Sequence, residues 1–235
     1  MLVALRTLAT QQSIATESLW DDITWFLNYA ALHPYAKKGF SASDMILYIA
    51  SYGSYLSETK SRSRVGGIFY LSSKLPKHNQ APDCNHPFNA PFHVVAKILK
   101  MITSSAMKTE GAATFYNSKQ ALPFQVTLTE MSHPQPPTPI KVDNETAIGF
   151  LKSIMKQNRR KDIDMRFYWV RDRVNQNQFT IYWRPGSTNV WDYVSKHHSP
   201  DHLQSMCPKH FVCLIRQNPP CTYTEKCLQR LSSCL

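Results

Sequence analysis

The chain is expected to fold as a mixed α/β sheet with helices on its faces. Three β-prone segments come first, at 45–50, 66–72 and 92–102, and strand and helix patterns then alternate between 105 and 198. Three consecutive strands suit an antiparallel meander, whereas the later alternation suits parallel strands joined by crossovers. With 235 residues and 43% hydrophobic content, the chain can bury a full core.

The segment TESLWDDITWFLNYAALHP reads as an amphipathic helix. Thr16 is placed to cap it, Leu19, Ile23, Phe26, Leu27 and Ala30 recur at helical spacing, and Pro34 stops it. Met45–Ala50 is apolar and β-prone. Gly53 and a polar, basic turn follow, and GGIFYLSS is the returning strand. Four prolines between 74 and 91 mark a loop. The segment 92–102 reads as a third strand, although its length also allows a helix.

SAMKTEGAATFYNSKQAL predicts a helix, and Pro123 opens a second, shorter one. HPQPPTP is a rigid break, and IKV is a short strand terminated by Asp143 and Asn144. Two helical stripes follow: Ala147, Ile148, Leu151 and Ile154, then Ile163, Phe167, Val170 and Val174. QFTIYWRPG is a closing strand, and TNVWDYVSKHH a last short helix. Nothing periodic follows His198.

Lys and Arg total 27 against 16 Asp and Glu, giving a net charge of +11. Such a surface attracts polyanions, with nucleic acid first and an anionic membrane second; as a bare surface property it also serves solubility. Five of the six cysteines lie between Cys207 and Cys234, without a Cys-x-x-Cys pair. That argues against a zinc site and for free thiols in a poorly ordered tail. The N-terminal apolar run is too short for a secretion signal, and no stretch reaches the roughly 18 apolar residues of a membrane span. No membrane partner is expected, and a reducing intracellular compartment, cytoplasmic or nuclear, fits best.

Three acids fall at suggestive places. Glu110 lies early in the helix after the third strand, Asp143 ends the strand IKV, and Asp192 sits on the last helix. Carboxylates at strand ends and on adjoining helices can converge, and such a cluster can hold two Mg²⁺ ions that clamp a phosphodiester. Each also has an ordinary explanation. Asp143 can be an Asx turn or cap, Glu110 a solvated helix residue, and Asp192 a first-turn acid favoured by the helix dipole.

Several segments resemble, in order, the ribonuclease H region of copia-type retrotransposon polyproteins. SYGSYLSETKSRSRVGGIFYLSS resembles that family's first hairpin, of the form S-D-A-S-Y with a Ser/Arg-rich turn and a G-G/G-Y strand. SSAMKTEGAATF resembles its S-x-x-E-A-E-x-x-A helix, and IKVDNETAIGFL its strand ending in D-N-x-x-A-I. KDIDMRFYWVRDRV resembles its K-x-I-D-[IM]-R-[YF]-x-x-[IVL]-R-[DE] helix and is the most specific match. IYWRPGSTNVWDYVSKHH resembles its closing strand and A-D-x-x-T-K segment.

The resemblance implies a ribonuclease H-like domain at 44–198, a helical extension at 1–43 similar to the linker from a reverse transcriptase, and an unstructured Cys-containing tail at 199–235. It implies a two-Mg²⁺ site hydrolysing the RNA strand of RNA·DNA hybrids, with Glu110, Asp143 and Asp192 as catalytic metal ligands. The family's first aspartate falls on Tyr52. A phenol with a pKa of about 10 is a poor ligand for Mg²⁺, and its ring fills the metal's space. Asp44 and Glu58 stand roughly 26 and 20 Å away along an extended chain, too far to substitute. The paired E-A-E has become Lys108-Thr109-Glu110, Trp191 replaces the Ala before Asp192, and T-K is Ser195-Lys196. Impaired hydrolysis is therefore expected. Two alternatives stand beside it: a non-catalytic nucleic-acid-binding or protein-interaction module, and a translated retrotransposon fossil.

The segment 156–173 is strongly basic. Arg159, Arg166 and Arg173 share one helical face that could track a phosphate backbone, with Arg184 and Lys196 adding charge near Asp192. The same face could equally be a solvated surface carrying an Asp162–Arg166 pair. Trp169, Tyr182 and Trp183 could stack on bases, though aromatics on amphipathic elements more often belong to a core.

Overall fold

The computed structural model describes residues 2–13, 16–32, 38–74, 89–151 and 165–185. Their contacts divide the chain into two compact units, one of them Phe40–Ser195 and the other containing the N-terminal helices. In that second unit, α1 spans Leu2–Thr10 and α2 Glu17–Leu32. Thr16 caps α2 as expected, accepting from the Leu19 amide at 3.2 Å. Helix α1 was not expected, because its LVALRTLAT run is short and carries no cap or stop signal.

The Phe40–Ser195 unit is built on a five-stranded mixed sheet of order β3-β2-β1-β4-β5. β1 (Ile46–Glu58), β2 (Arg62–Ser72) and β3 (Pro91–Ile98) form the antiparallel meander, while β4 (Thr138–Val142) and β5 (Phe179–Trp183) add in parallel. Helices α3 (Ala106–Glu130), α4 (Glu145–Leu151) and α5 (Met165–Asn175) supply the crossovers. The mixed α/β sheet flanked by helices is thus present, and the segment 92–102 is a strand.

Alternation along β1 assigns its two faces. Leu47 and Ile49 join Val65, Phe69, Ile140, Ile181 and Ala113 of α3 in the main core. The α4 and α5 stripes enter the same core through Ile148, Leu151, Phe167 and Val170. Ile46, Tyr48, Ala50 and Tyr52 turn to the other face with Ile68 and Tyr70. There Tyr48 and Tyr70, paired across the strands, stack with centroids 5.7 Å apart.

Two expectations need correction. The first hairpin does not turn after Gly53. Pairing continues through a register shift between Ser54 and Glu58, and the chain reverses in a 3₁₀ turn at Thr59–Ser61. The Ser, Tyr and Leu residues after Gly53 sustain the strand. Nor does Pro123 begin a new helix; α3 runs through it without interruption. An interior proline removes one helical hydrogen bond, at about 3 kcal/mol. Packing on both sides of it, through Ala121 and Leu128 in the main core, offsets that cost.

Candidate functional site at the ends of β1 and β4

The site lies where β4 ends beside the middle of β1. Ser105 caps α3 by accepting from the Lys108 amide at 3.2 Å, which fixes the first turns of the helix over the sheet. A buried hydroxyl chain reinforces this anchor. The Ser63 and Thr103 hydroxyls lie 2.9 Å apart, those of Thr103 and Thr109 2.6 Å apart, and the Thr109 hydroxyl donates to the Ser105 carbonyl at 3.1 Å. Two turns further along α3, buried Asn117 donates to the Ser51 hydroxyl and to the Gly66 carbonyl, both at 2.9 Å.

This anchoring brings Glu110 down onto β1. Glu110 is 2% exposed, so it is not a solvated helix residue. One of its carboxylate oxygens, Oε2, accepts from the Gly53 amide at 2.5 Å. Gly53 is required there: a Cβ would stand 2.9 Å from Glu110 Oε2 and 2.9 Å from the Thr109 carbonyl carbon. Tyr52, the preceding residue, is 1% exposed and packs on the opposite face of the sheet with Tyr48, Ala50, Ile68 and Tyr70.

Asp143 lies one residue beyond β4 rather than at its end, because the ladder closes at Val142. It is not the cap of α4. Asn144 is, accepting from the Ala147 amide at 3.0 Å. Ala50 pairs with Lys141 and Val142 with Trp183, so Asp143 falls at the level of Tyr52 on one side and Arg184 on the other. The Trp183 indole donates to the Asp143 carbonyl at 3.0 Å, and the Arg184 amide to the Val142 carbonyl at 3.0 Å.

Lys141 is 8% exposed and holds its Nζ 5.9 Å from the Tyr52 ring centroid; Arg184 is 9% exposed. Sequence reasoning missed Lys141, although a lysine amid the apolar residues of a short strand was a visible signal. It missed the buried Arg64 too, hidden in the Ser/Arg-rich turn. Tyr182, beside Lys141 on β5, has its hydroxyl pKa pushed up by burial and further by Tyr48, while Arg184 pulls it down.

Glu110 meets β1 at Gly53 on the α3 side of the sheet, the Tyr52 ring packs on the opposite face, and Asp143 falls at the level of Tyr52 by register alone. Asp192, Arg159 and Lys196 lie outside the described residues, as do the 75–88 part of the proline-rich loop, the last helix and the tail. The described residues do not fit a two-Mg²⁺ centre. The first acid position holds a buried ring with an ammonium group beside it, and one Glu110 oxygen is committed to a backbone N–H. Among the described residues, no three His, Cys, Asp or Glu side chains group as metal ligands.

The aromatic and basic candidates divide between packing and surface. Trp169 packs edge-on against Phe115 at 5.3 Å and borders the core, whereas Trp183 is 43% exposed. Arg166 and Arg173 are both half-buried. The Arg166 guanidinium donates to the Met101 sulfur. Arg173 lies 5.2 Å from the Trp169 ring centroid and donates to Gln176 and Gln178 at 3.3 Å.

The structure is similar to several solved ribonuclease H structures. The N-terminal RNase H domain of a Mycobacterium tuberculosis protein aligns with a TM-score of 0.44 and 10% identity, covering 70% of this chain and 98% of that one. LC11-RNase H1 in complex with an RNA/DNA hybrid gives 0.44 and 10%, covering 63% and 93%. The foamy viral protease-reverse transcriptase in complex with dsDNA gives 0.38 and 16%, covering 64% and 90%. No protein-family model matches the chain, and no curated protein matches it in sequence. Among the described residues, no helix is long and apolar enough to cross a membrane.

Proposed function

We propose that the chain is a ribonuclease H-like domain of copia-type retroelement descent that binds nucleic acid, RNA·DNA hybrids first, and has lost most or all hydrolysis. Descent rests on the ordered motif run from the first hairpin to the closing strand, with the sheet order it requires. Loss of hydrolysis rests on a single observation, the buried Tyr52 ring with Lys141 beside it where the resemblance calls for an aspartate. Glu110, Asp143 and Asp192 are the surviving acids of that ancestral site, and the Mg²⁺ pair they once helped to hold is not bound in the ancestral geometry. The net charge of +11 supports polyanion binding, with Arg159, Arg166, Arg173, Arg184 and Lys196 as contributors. A cytoplasmic or nuclear location belongs to the same reading.

A paired assay tests it. The full chain should shift a labelled RNA·DNA hybrid, with affinity falling steeply as salt rises, while leaving the RNA strand intact in Mg²⁺. Mg²⁺-dependent cleavage that disappears in Asp143→Asn would restore the active-enzyme reading. An absence of binding at low salt would leave a protein-interaction module or a translated fossil.

A further inference from the structure

Close to the turn of the β1–β2 hairpin lies a charged group with incomplete partners. Arg64 is 0% exposed, and its Nε donates to Glu58 Oε1 at 2.6 Å. Its two terminal nitrogens, Nη1 and Nη2, are buried and have no hydrogen-bond acceptor among the described residues. Buried guanidinium N–H groups are almost always satisfied, because each one left without an acceptor carries a desolvation penalty. Arg64 pairs across the ladder with Ser54 and lies on the Tyr52 face of the sheet.

Its one carboxylate partner among the described residues is held by a hairpin tip in unfavourable backbone conformations. Leu56, Lys60 and Ser61 have φ of 51°, 60° and 53°, and the register slips between Ser54 and Glu58. Non-glycine residues pay for that left-handed conformation, so the tip is a segment that a modest interaction can rearrange. Glu58 is the more accessible member of the pair, its side chain 12% exposed against 1% for Arg64.

We propose that Arg64 is a phosphate-binding residue whose site is occupied, in the free protein, by the Glu58 carboxylate. A strand phosphate offers the planar, bidentate acceptor geometry that a guanidinium prefers and that one Glu58 oxygen on Nε does not provide. Binding is an exchange: Glu58 swings into solvent as the tip relaxes, and a phosphate oxygen pair takes the terminal nitrogens of Arg64. No bond is made or broken, and the charge beside Arg64 stays negative throughout. The inference rests on the nucleic-acid reading for the source of the phosphate and adds a specific residue and its competitor to it.

The test uses the full chain and three variants, Glu58→Gln, Arg64→Lys and Glu130→Gln. Glu130→Gln makes the same charge change at the far end of α3, where the residue is exposed. Hybrid affinity is measured at fixed ionic strength, and inorganic phosphate is titrated against matched chloride while the Arg64 Nε–H resonance is followed. Removing a competing partly exposed carboxylate is expected to tighten hybrid binding by about fivefold in Glu58→Gln. Glu130→Gln should stay within about twofold of wild type, as a remote and screened charge. Phosphate should shift the Arg64 resonance further in Glu58→Gln than in wild type, and Arg64→Lys should lose the hybrid affinity that Glu58→Gln gains. Equal effects of Glu58→Gln and Glu130→Gln would overturn the proposal while leaving nucleic-acid binding intact. A phosphate response with no change in hybrid affinity would overturn the strand phosphate as its ligand. If no variant binds the hybrid, the function proposed above fails, and the phosphate titration still decides the fate of Arg64. Should Arg64→Lys not fold, as judged by circular dichroism, the comparison of the two glutamate variants decides alone.

Discussion

Replacing Tyr52 by aspartate asks whether the centre of the fold can still accept a metal. Tyr52 is 1% exposed, and truncating an aromatic side chain at such a place costs about 3–5 kcal/mol. The new carboxylate would gain Lys141 as a neighbour, whose Nζ now stands 5.9 Å from the ring centroid. At that separation, with an effective dielectric of about 20, the attraction is roughly 3 kcal/mol. These two effects leave a loss of about 0–2 kcal/mol, to which desolvation of the new carboxylate adds several more. Tyr52→Asp should therefore melt lower, by roughly 2–4 °C per kcal/mol, and its folding is established first by circular dichroism. Calorimetry in about 10 mM MgCl₂ against NaCl of equal ionic strength then separates the two outcomes. A dissociation constant on the order of 1 mM would raise the variant's stability by about 1.4 kcal/mol in Mg²⁺ alone, whereas wild type should melt alike in both salts. Nicking of a labelled RNA strand, abolished by a further Asp143→Asn, is the activity counterpart. A folded variant with neither a Mg²⁺-specific shift nor cleavage would refute the view that Tyr52 fills a former metal position. Trp191→Ala combined with Tyr52→Asp tests for obstruction by a second diverged residue.

Three further outcomes are expected. Gly53→Ala should lower stability by about 1–3 kcal/mol, read as a lower urea midpoint, because its Cβ would meet both Glu110 Oε2 and the α3 backbone at 2.9 Å. Burial raises the hydroxyl pKa of Tyr70 and of Tyr182, so the folded state holds these protons more tightly than the unfolded chain. Their contribution to stability is full below the unfolded value of about 10 and declines as pH rises above it towards the raised folded values. Tyr182→Phe should flatten that alkaline decline, and tyrosinate absorbance should show Tyr182 ionising late or only on unfolding. Neutralising Arg159, Arg166 and Arg173 together should reduce the slope of log affinity against log salt by about 2–3 if each meets a phosphate. An unchanged slope would return the arginines to packing roles such as those of Arg166 on Met101 and Arg173 on Trp169.

Periodicity exposed the elements whose signal is local. Of the two predicted stripes, Ala147, Ile148, Leu151, Phe167 and Val170 are buried, Val174 is partly so, and Ile154 and Ile163 lie outside the described residues; Thr16 caps α2. Motif order set Glu110 and Asp143 beside Tyr52, whereas Glu110 bonds the Gly53 amide and the Tyr52 ring turns to the other face of the sheet. What stayed hidden depends on contacts between distant segments. Gly53 looks like a turn residue in isolation, and only the approach of Glu110 makes it a strand residue. Pro123 looks like a helix start until residues on both sides of it are seen to share one core. Arg64 stands in a segment with the composition of a solvated turn, and its burial follows from its place inside the sheet, paired with Ser54 of β1 and Ile98 of β3.

The bond between Glu110 and Gly53 separates two reasons for keeping an acid. Gly53 lies past the last register pair of β1 with β4, at Ala50 and Lys141, and Glu110 gives its amide an acceptor there. Losing that carboxylate would leave a half-buried N–H without its acceptor, at up to about 1–3 kcal/mol, a large share of a domain's net stability. Selection for a folded chain would therefore retain Glu110 long after selection for cleavage had ended. Among diverged copies of such a domain, persistence of this glutamate would report on folding, and the residue at position 52 would report on chemistry.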